Sequence, residues 1–227
     1  MQQLPLSVRL RERASFEYFH PGANVEIVER LRAVSAGGRA VLWLWGREGS
    51  GRSHLLQAVC AAAVGRRCAY LPLGELGPAS RAFLEDSALL ELLCIDDIEL
   101  LVGRRELELA IFSAYRSLEE RGGALVIAAA TPPSALDWSL ADIRSRLSAA
   151  EVFQLKPLDE HGELAALRLR ASARGLELPE ETARYLLRRF PRDMSTLGRL
   201  LDDIDLAALS AQRRLTVPFV KTILGES

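Results

Sequence analysis

The chain has 227 residues, 49% of them apolar and 26% charged, enough to build one domain of ordinary size and a small second one. Its net charge of −1 argues against a dedicated nucleic-acid binder, which needs a clearly basic surface. No apolar run reaches the length of a membrane span, and the start Met1-Gln2-Gln3-Leu4-Pro5-Leu6 lacks the basic opening and long apolar core of a secretory signal. The expectation is a cytoplasmic protein with no membrane partner.

The first residues carry a signal of their own. Gln3-Leu4-Pro5-Leu6 joins a proline to two leucines and is followed by Arg9-Leu10-Arg11. The segment is too short to bury itself. It is either a leader without function, the default for a chain start, or an extended peptide that seats its Leu and Gln anchors in a partner's groove.

Beyond it, apolar runs alternate with helical patterns. Strands are expected at 40–45, 68–73, 90–95, 124–130 and 151–155, and most are too continuous to be half-exposed, which points to a buried parallel sheet. Helices are expected between them at 24–35, 53–64, 107–121 and 140–148, an alternation that predicts a three-layer α/β domain. After Lys156-Pro157 only helical patterns follow, at 159–174, 179–190, 194–212 and 218–224. Asp159 and Pro179-Glu180 supply starts there and Gly175 a stop. This reads as a compact helical lid.

The first strand runs into Gly46-Arg47-Glu48-Gly49-Ser50-Gly51-Arg52-Ser53, with His54 next on the opening turn of a helix. Strand, then G-x4-G-[basic]-S, then helix is the layout of a phosphate-binding P-loop. Its glycines let backbone N–H groups turn toward phosphate oxygens, and the helix N-terminus adds positive dipole. The usual lysine is Arg52. A planar guanidinium is bulkier than an ammonium, so nucleotide binding is expected without fast hydrolysis by this chain alone. Only two lysines occur, at 156 and 221, so a general drift toward arginine is a competing account of Arg52.

Three later features bear on the same chemistry. The apolar run 92–95 ends in Asp96-Asp97, where ligands bind in open parallel sheets. Asp96 could hold Mg2+ through Ser53 and Asp97 could orient water, or the pair could simply cap the strand. The run 126–129 ends in Ala130-Thr131, so the polar group often found there is displaced or missing. Arg144 and Arg146 sit on a helix before the last strand, either solvated or reaching toward a neighbour's site. Arg192 opens a lid helix and either touches phosphates or pairs with Asp193 or Asp202. Cys60, Cys68 and Cys94 show no CxxC spacing and suit buried thiols in a reducing compartment. His20, His54 and His161 are too scattered for a metal site.

Taken together, Ser15-Phe16-Glu17-Tyr18-Phe19-His20-Pro21-Gly22-Ala23-Asn24, the P-loop 47–56, Cys94-Ile95-Asp96-Asp97-Ile98-Glu99 and the ending Ala211-Gln212-Arg213-Arg214-Leu215-Thr216-Val217-Pro218-Phe219-Val220-Lys221 resemble the AAA+ ATPases. The similarity is to their replication-initiator branch and, within it, to the regulatory inactivators of DnaA, in which Arg at the P-loop Lys position is itself typical. The resemblance implies an AAA+ P-loop three-layer αβα domain with a parallel five-stranded sheet, followed by a small all-α lid. It divides the chain into a clamp-binding leader (1–12), the nucleotide-binding domain (13–156) and the lid (157–227).

It also implies roles. Gly46, Gly49, Ser50, Gly51, Arg52, Ser53, His54, Asp96, Asp97 and the sensor II residue Arg192 would bind ADP or ATP, with Ser53 and Asp96 toward Mg2+. Arg146 would be an arginine finger acting in trans. Gln3, Leu4, Pro5 and Leu6 would bind the sliding clamp, the β subunit of DNA polymerase III, loaded on DNA. Ala130 departs from the family at the sensor I position. The function so implied is negative regulation of replication initiation by promoting hydrolysis of DnaA-bound ATP. DnaA and the clamp would be partners, no dedicated DNA-binding domain is expected, and a homo-oligomer stays open. The alternatives are an autonomous AAA+ ATPase that loads or remodels a helicase or clamp, a small P-loop kinase, and a scaffold with a vestigial site.

Overall fold

Five strands form at the apolar runs: β1 (Ala40–Trp45), β2 (Cys68–Pro72), β3 (Leu92–Asp96), β4 (Ala124–Ala129) and β5 (Glu151–Gln154). All pair in parallel, in the order β2-β3-β4-β1-β5. This computed structural model describes residues 14–191, 194–211 and 215–223. The strand ends fall within two residues of the sequence expectation.

The runs are continuous because both faces of the sheet are covered. Side chains alternate across a strand, and Trp43, Leu93, Ile95, Leu125 and Ile127 join one cluster, while Leu42, Leu44, Cys94, Val126 and Ala128 are equally buried but point the other way. Helix α1 (Val25–Ala36) packs on α2 (Arg52–Ala62), and α2 lies against β2, β3 and β4. The segment between β2 and β3 holds two short helices that periodicity did not announce, α3 (Leu73–Leu76) and α4 (Ala79–Glu85). Gly74, Gly77 and Pro78 keep them short, and Leu73 and Leu84 anchor them in the core. Helices α5 (Arg105–Glu120) and α6 (Ala141–Ser148) add Ile111, Ala114, Leu118, Ile143 and Leu147 to the Trp43 cluster. β5 departs from the buried pattern: as an edge strand it exposes Glu151, Val152 and Gln154.

Asn24, just before α1, locks the end of this unit with two bonds to Lys156: its amide donates to the Lys156 carbonyl at 3.0 Å and accepts from the Lys156 N–H at 2.8 Å. The unit comprises residues 14–16, Asn24–Arg47 and Arg52–Lys156.

A second unit gathers Glu17–Ala23 and Glu48–Gly51 with the chain from Pro157 onward. Its helices are α7 (Glu160–Ser172), α8 (Glu180–Arg189), α9 (Met194–Ala211) and α10 (Val217–Ile223). Asp159 caps α7 as its sequence position suggests, accepting from the Gly162 N–H at 2.7 Å. Leu167, Leu186, Leu197, Leu201 and Ile204 form a separate core. Thr182 is buried there with its hydroxyl satisfied by the Leu215 carbonyl at 2.8 Å. No helix among the described residues is long and apolar enough to cross a membrane.

Candidate functional site

Register brings the distant motifs to one edge of the sheet. Trp45 pairs with Ala129, Ile95 with Ile127, and the Gly46 N–H donates to the Ala129 carbonyl at 3.3 Å. Gly46, Asp96-Asp97 and Ala130 therefore all stand at the carboxyl ends of neighbouring strands, where open parallel sheets bind ligands.

The P-loop follows β1 and runs into α2, whose first residue is Arg52. Gly49 and Gly51 take φ of 74° and 98°, left-handed values that a side chain disfavours. A Cβ on Gly51 would also come within 2.6 Å of the Phe19 ring, so this glycine is required twice over. The Ser50 hydroxyl is buried without a hydrogen-bond partner.

Arg52 is 12% exposed, and its Nη2 stands 3.7 Å from the Asp97 carboxylate, too long for a hydrogen bond. Its Nη1 is buried and unpartnered. A buried guanidinium held this loosely is costly, and an anion restores what it lacks. The donor set fits a phosphate group. Ser53 follows on the first turn of α2, and the His54 Nε2 donates to the Ser15 carbonyl at 2.8 Å, tying that helix to the entry segment.

Asp96 is 2% exposed, and both of its oxygens are engaged. One accepts from the Tyr70 hydroxyl at 2.8 Å and the other from the Asp97 N–H at 3.1 Å. Burial and the charge of Asp96 raise the Tyr70 hydroxyl pKa, so the phenol remains the donor. Each carboxylate oxygen keeps a second lone pair, which could accept a further bond or ligate a cation. The Asp97 carboxylate stands toward Arg52. Asp97 adopts φ 55°, the only non-glycine positive φ among the described residues. Such a backbone outlier at a strand end belongs to the class of constraints that cluster at functional sites.

At the end of β4 the Ala130 methyl offers no polar group, and its N–H donates to Glu99 at 3.0 Å. The other Glu99 oxygen and the Thr131 hydroxyl are buried without partners. The polar groups of this strand end are thus Glu99 and Thr131. Neither Glu99 nor Tyr70 stood out in the sequence, because each reaches the site only through strand register.

Arg146 lies elsewhere on this unit, on α6. It lines a cleft of about 340 Å³ with Tyr115, Asp142, Ser145 and Ala149. Its guanidinium donates to Glu119 at 3.2 Å and lies 5.4 Å from the Tyr115 ring centre. Arg144 is exposed. Gln3, Leu4, Pro5, Leu6 and Arg192 lie outside the described residues. Asp202, one suggested partner of Arg192, accepts from Arg174 at 2.8 Å. Two of the three cysteines depart from expectation: Cys94 is buried, whereas Cys60 and Cys68 are half-exposed. No group of three or more His, Cys, Asp or Glu among the described residues forms a metal cage.

Comparison with known proteins agrees with this architecture. Residues 159–224 match the family model described as Hda, lid domain. Domain III of the Thermotoga maritima replication initiation protein DnaA is similar at 22% identity and a TM-score of 0.79, over 94% of this chain and 96% of that one. AMPPCP-bound DnaA from Aquifex aeolicus is similar at 21% identity and 0.70, over 89% and 68%. The RuvB Holliday junction branch migration motor of Thermotoga maritima is more distant, at 18% identity and 0.62, over 88% and 68%. A lid that matches the Hda model over residues 159–224 therefore follows a five-stranded parallel α/β unit, and the chain has the fold of domain III of DnaA.

Proposed function

We propose that this chain is a negative regulator of replication initiation that promotes hydrolysis of the ATP held by DnaA. The observation that carries this reading is the match to the Hda lid on a fold shared with domain III of DnaA. A chain with that fold can take a neighbour's place in the head-to-tail packing that AAA+ proteins use. Arg146 would then enter DnaA's site and stabilise charge on the transferring phosphoryl group, a contribution worth about 10³–10⁵ in rate when supplied in trans.

The chain's own nucleotide, ADP in this reading, would be held by Gly46, Gly49, Ser50, Gly51, Arg52, Ser53 and His54, with Asp96, Asp97 and Ser53 on the Mg2+ side. The buried, unpartnered donors of Ser50 and Arg52 support this, as does the AMPPCP bound by the Aquifex aeolicus relative. Bound nucleotide would supply charge and shape that favour the docking-competent conformation. Arg192 keeps the sensor II role that the resemblance gives it. The leader Gln3-Leu4-Pro5-Leu6 would tether the chain to a DNA-loaded sliding clamp, where repeated sites on a ring raise local concentration.

The test is turnover of DnaA-bound ATP with and without this protein and DNA-loaded clamp. Acceleration only when all components are present supports the reading; a rate indifferent to this protein ends it. The rival, an autonomous ATPase, needs efficient turnover by the chain alone. Arg52 in place of lysine and a methyl at Ala130 both argue against that.

A further inference from the structure

The turn after β3 carries a carboxylate across to the neighbouring strand. Asp97 takes a left-handed conformation, and the single turn Ile98–Leu101 follows it directly. Ile98 and Leu101 are buried in the Trp43 cluster, so the turn is anchored on both sides of Glu99. From there one Glu99 oxygen accepts from the Ala130 N–H at 3.0 Å.

The peptide that ends β4 fixes where this charge stands. Its carbonyl, on Ala129, accepts from the Gly46 N–H at the root of the P-loop, and its N–H, on Ala130, donates to Glu99. A single peptide unit therefore separates Gly46 from the Glu99 carboxylate. Asp97, the residue beside Arg52, lies two positions earlier in the same turn. Glu99 thus belongs to the sheet edge that holds the candidate nucleotide site.

The polar groups at this strand end are mostly acceptors. The Ala130 N–H is taken by Glu99, and the Ala130 side chain is a methyl. The Thr131 carbonyl accepts from the Trp43 indole at 3.0 Å, which fixes the backbone just beyond. The second Glu99 oxygen is buried without a partner, and the Thr131 hydroxyl is buried as well. A group arriving here meets a carboxylate and a methyl.

Nucleotides of different length meet this edge unequally. A P-loop cradles the first phosphates with its backbone N–H groups, and a third extends into the crevice beyond the strand ends. Phosphate oxygens are charged acceptors that need donors. Here a third phosphate approaches a fixed like charge, and such repulsion is strong where water is scarce. A repulsive group of this kind separates two otherwise similar ligands.

We propose that Glu99 determines nucleotide specificity: held on the Ala130 N–H beside the P-loop, its carboxylate selects a nucleoside diphosphate by disfavouring a third phosphate. Arg52 attracts both nucleotides, and Glu99 supplies the difference between them. This inference rests on the reading that the P-loop holds a nucleotide, and on no part of the action on DnaA.

The full chain is stripped of nucleotide and titrated with ADP and with ATP by equilibrium dialysis. Divalent cations are left out, so that the third phosphate keeps its full charge. The unmodified chain should bind ADP more tightly than ATP. In Glu99→Gln, whose amide oxygen still accepts from Ala130, ATP affinity should rise about tenfold while ADP affinity changes little. Glu99→Ala also frees the Ala130 N–H as a donor, so its gain for ATP should be at least as large; it serves should Glu99→Gln fold poorly. Equal affinities in the unmodified chain, or ATP affinity untouched by both variants, overturns the proposal. So does an equal fall for both nucleotides, which marks Glu99 as a structural support. Binding of neither nucleotide ends the nucleotide reading and this inference together. No readout involves DnaA, so failed selection leaves the proposed regulation standing.

Discussion

Arg146 donates to Glu119 at 3.2 Å while lying over the Tyr115 ring, and Glu119 also accepts from Arg39 at 2.7 Å. The guanidinium proposed for a partner's chemistry is thus held against its own surface by a carboxylate and an aromatic face. Arg146 is 37% exposed, so the contact is weak enough to exchange for a phosphate. Arg146→Ala should lower stimulation of DnaA-bound ATP hydrolysis by about 10³-fold or more with clamp binding retained. Glu119→Gln should leave stimulation intact or raise it by no more than about fivefold, because only an exposed ion pair is released. Single-turnover hydrolysis with each variant separates these outcomes. A full response from Arg146→Ala would remove it from the active role.

Arg52 tests the nucleotide site. Its buried, unpartnered Nη1 is the donor that an anion would satisfy. Arg52→Ala should weaken ADP binding by about tenfold or more, as expected for losing a charged hydrogen bond. Arg52→Lys should recover charge without the planar fork and fall between the two. Equilibrium dialysis with labelled ADP gives the comparison; identical affinities in all three proteins would exclude Arg52 from the site.

Glu108 tests what holds α6 in place. It is fully buried and accepts from the Gly103 N–H at 2.8 Å, the Ser139 N–H at 3.1 Å, the Ser139 hydroxyl at 2.7 Å and the Leu140 N–H at 2.8 Å. Burial pushes its pKa up, but the bonds from Ser139, Gly103 and Leu140 outweigh that and hold it below the usual carboxylate range. A carboxyl whose folded pKa is depressed stabilises the fold fully above its unfolded pKa of about 4.3, and that stabilisation is lost as pH falls through the folded value. Glu108→Ala should cost about 3 kcal/mol at neutral pH, since four donors lose their acceptor. The gap to the wild type should shrink in acid. Urea titrations at neutral and acidic pH read both effects.

The leader makes a separate prediction. Replacing Leu4 and Leu6 by Ala should abolish capture by immobilised sliding clamp without changing the melting temperature, because the proposed anchors act in the partner's groove. Retained capture would show that another surface meets the clamp.

The order of elements was legible because strands covered on both faces must be apolar throughout, as in 40–45 and 124–129. The P-loop was legible because its chemistry is contiguous: glycines, basic residue and serine succeed one another within eight positions. The short helices α3 and α4 were not, since neither is long enough to show a period. The strand at 151–155 was legible, but its exposure was not, since four residues do not reveal whether they lie at the edge of the sheet.

The layers, the parallel sheet, the helical lid and the glycine-rich loop between β1 and α2 were set by the sequence, because each rests on local pattern. Tertiary structure alone decided that Tyr70 holds Asp96 across 26 positions, that Glu99 takes the Ala130 N–H across 31, and that Glu119 holds Arg146 across 27. Pairs of this kind depend on strand register and on which helix covers which face. Those choices are set by how whole elements pack, and no short window of the chain contains them.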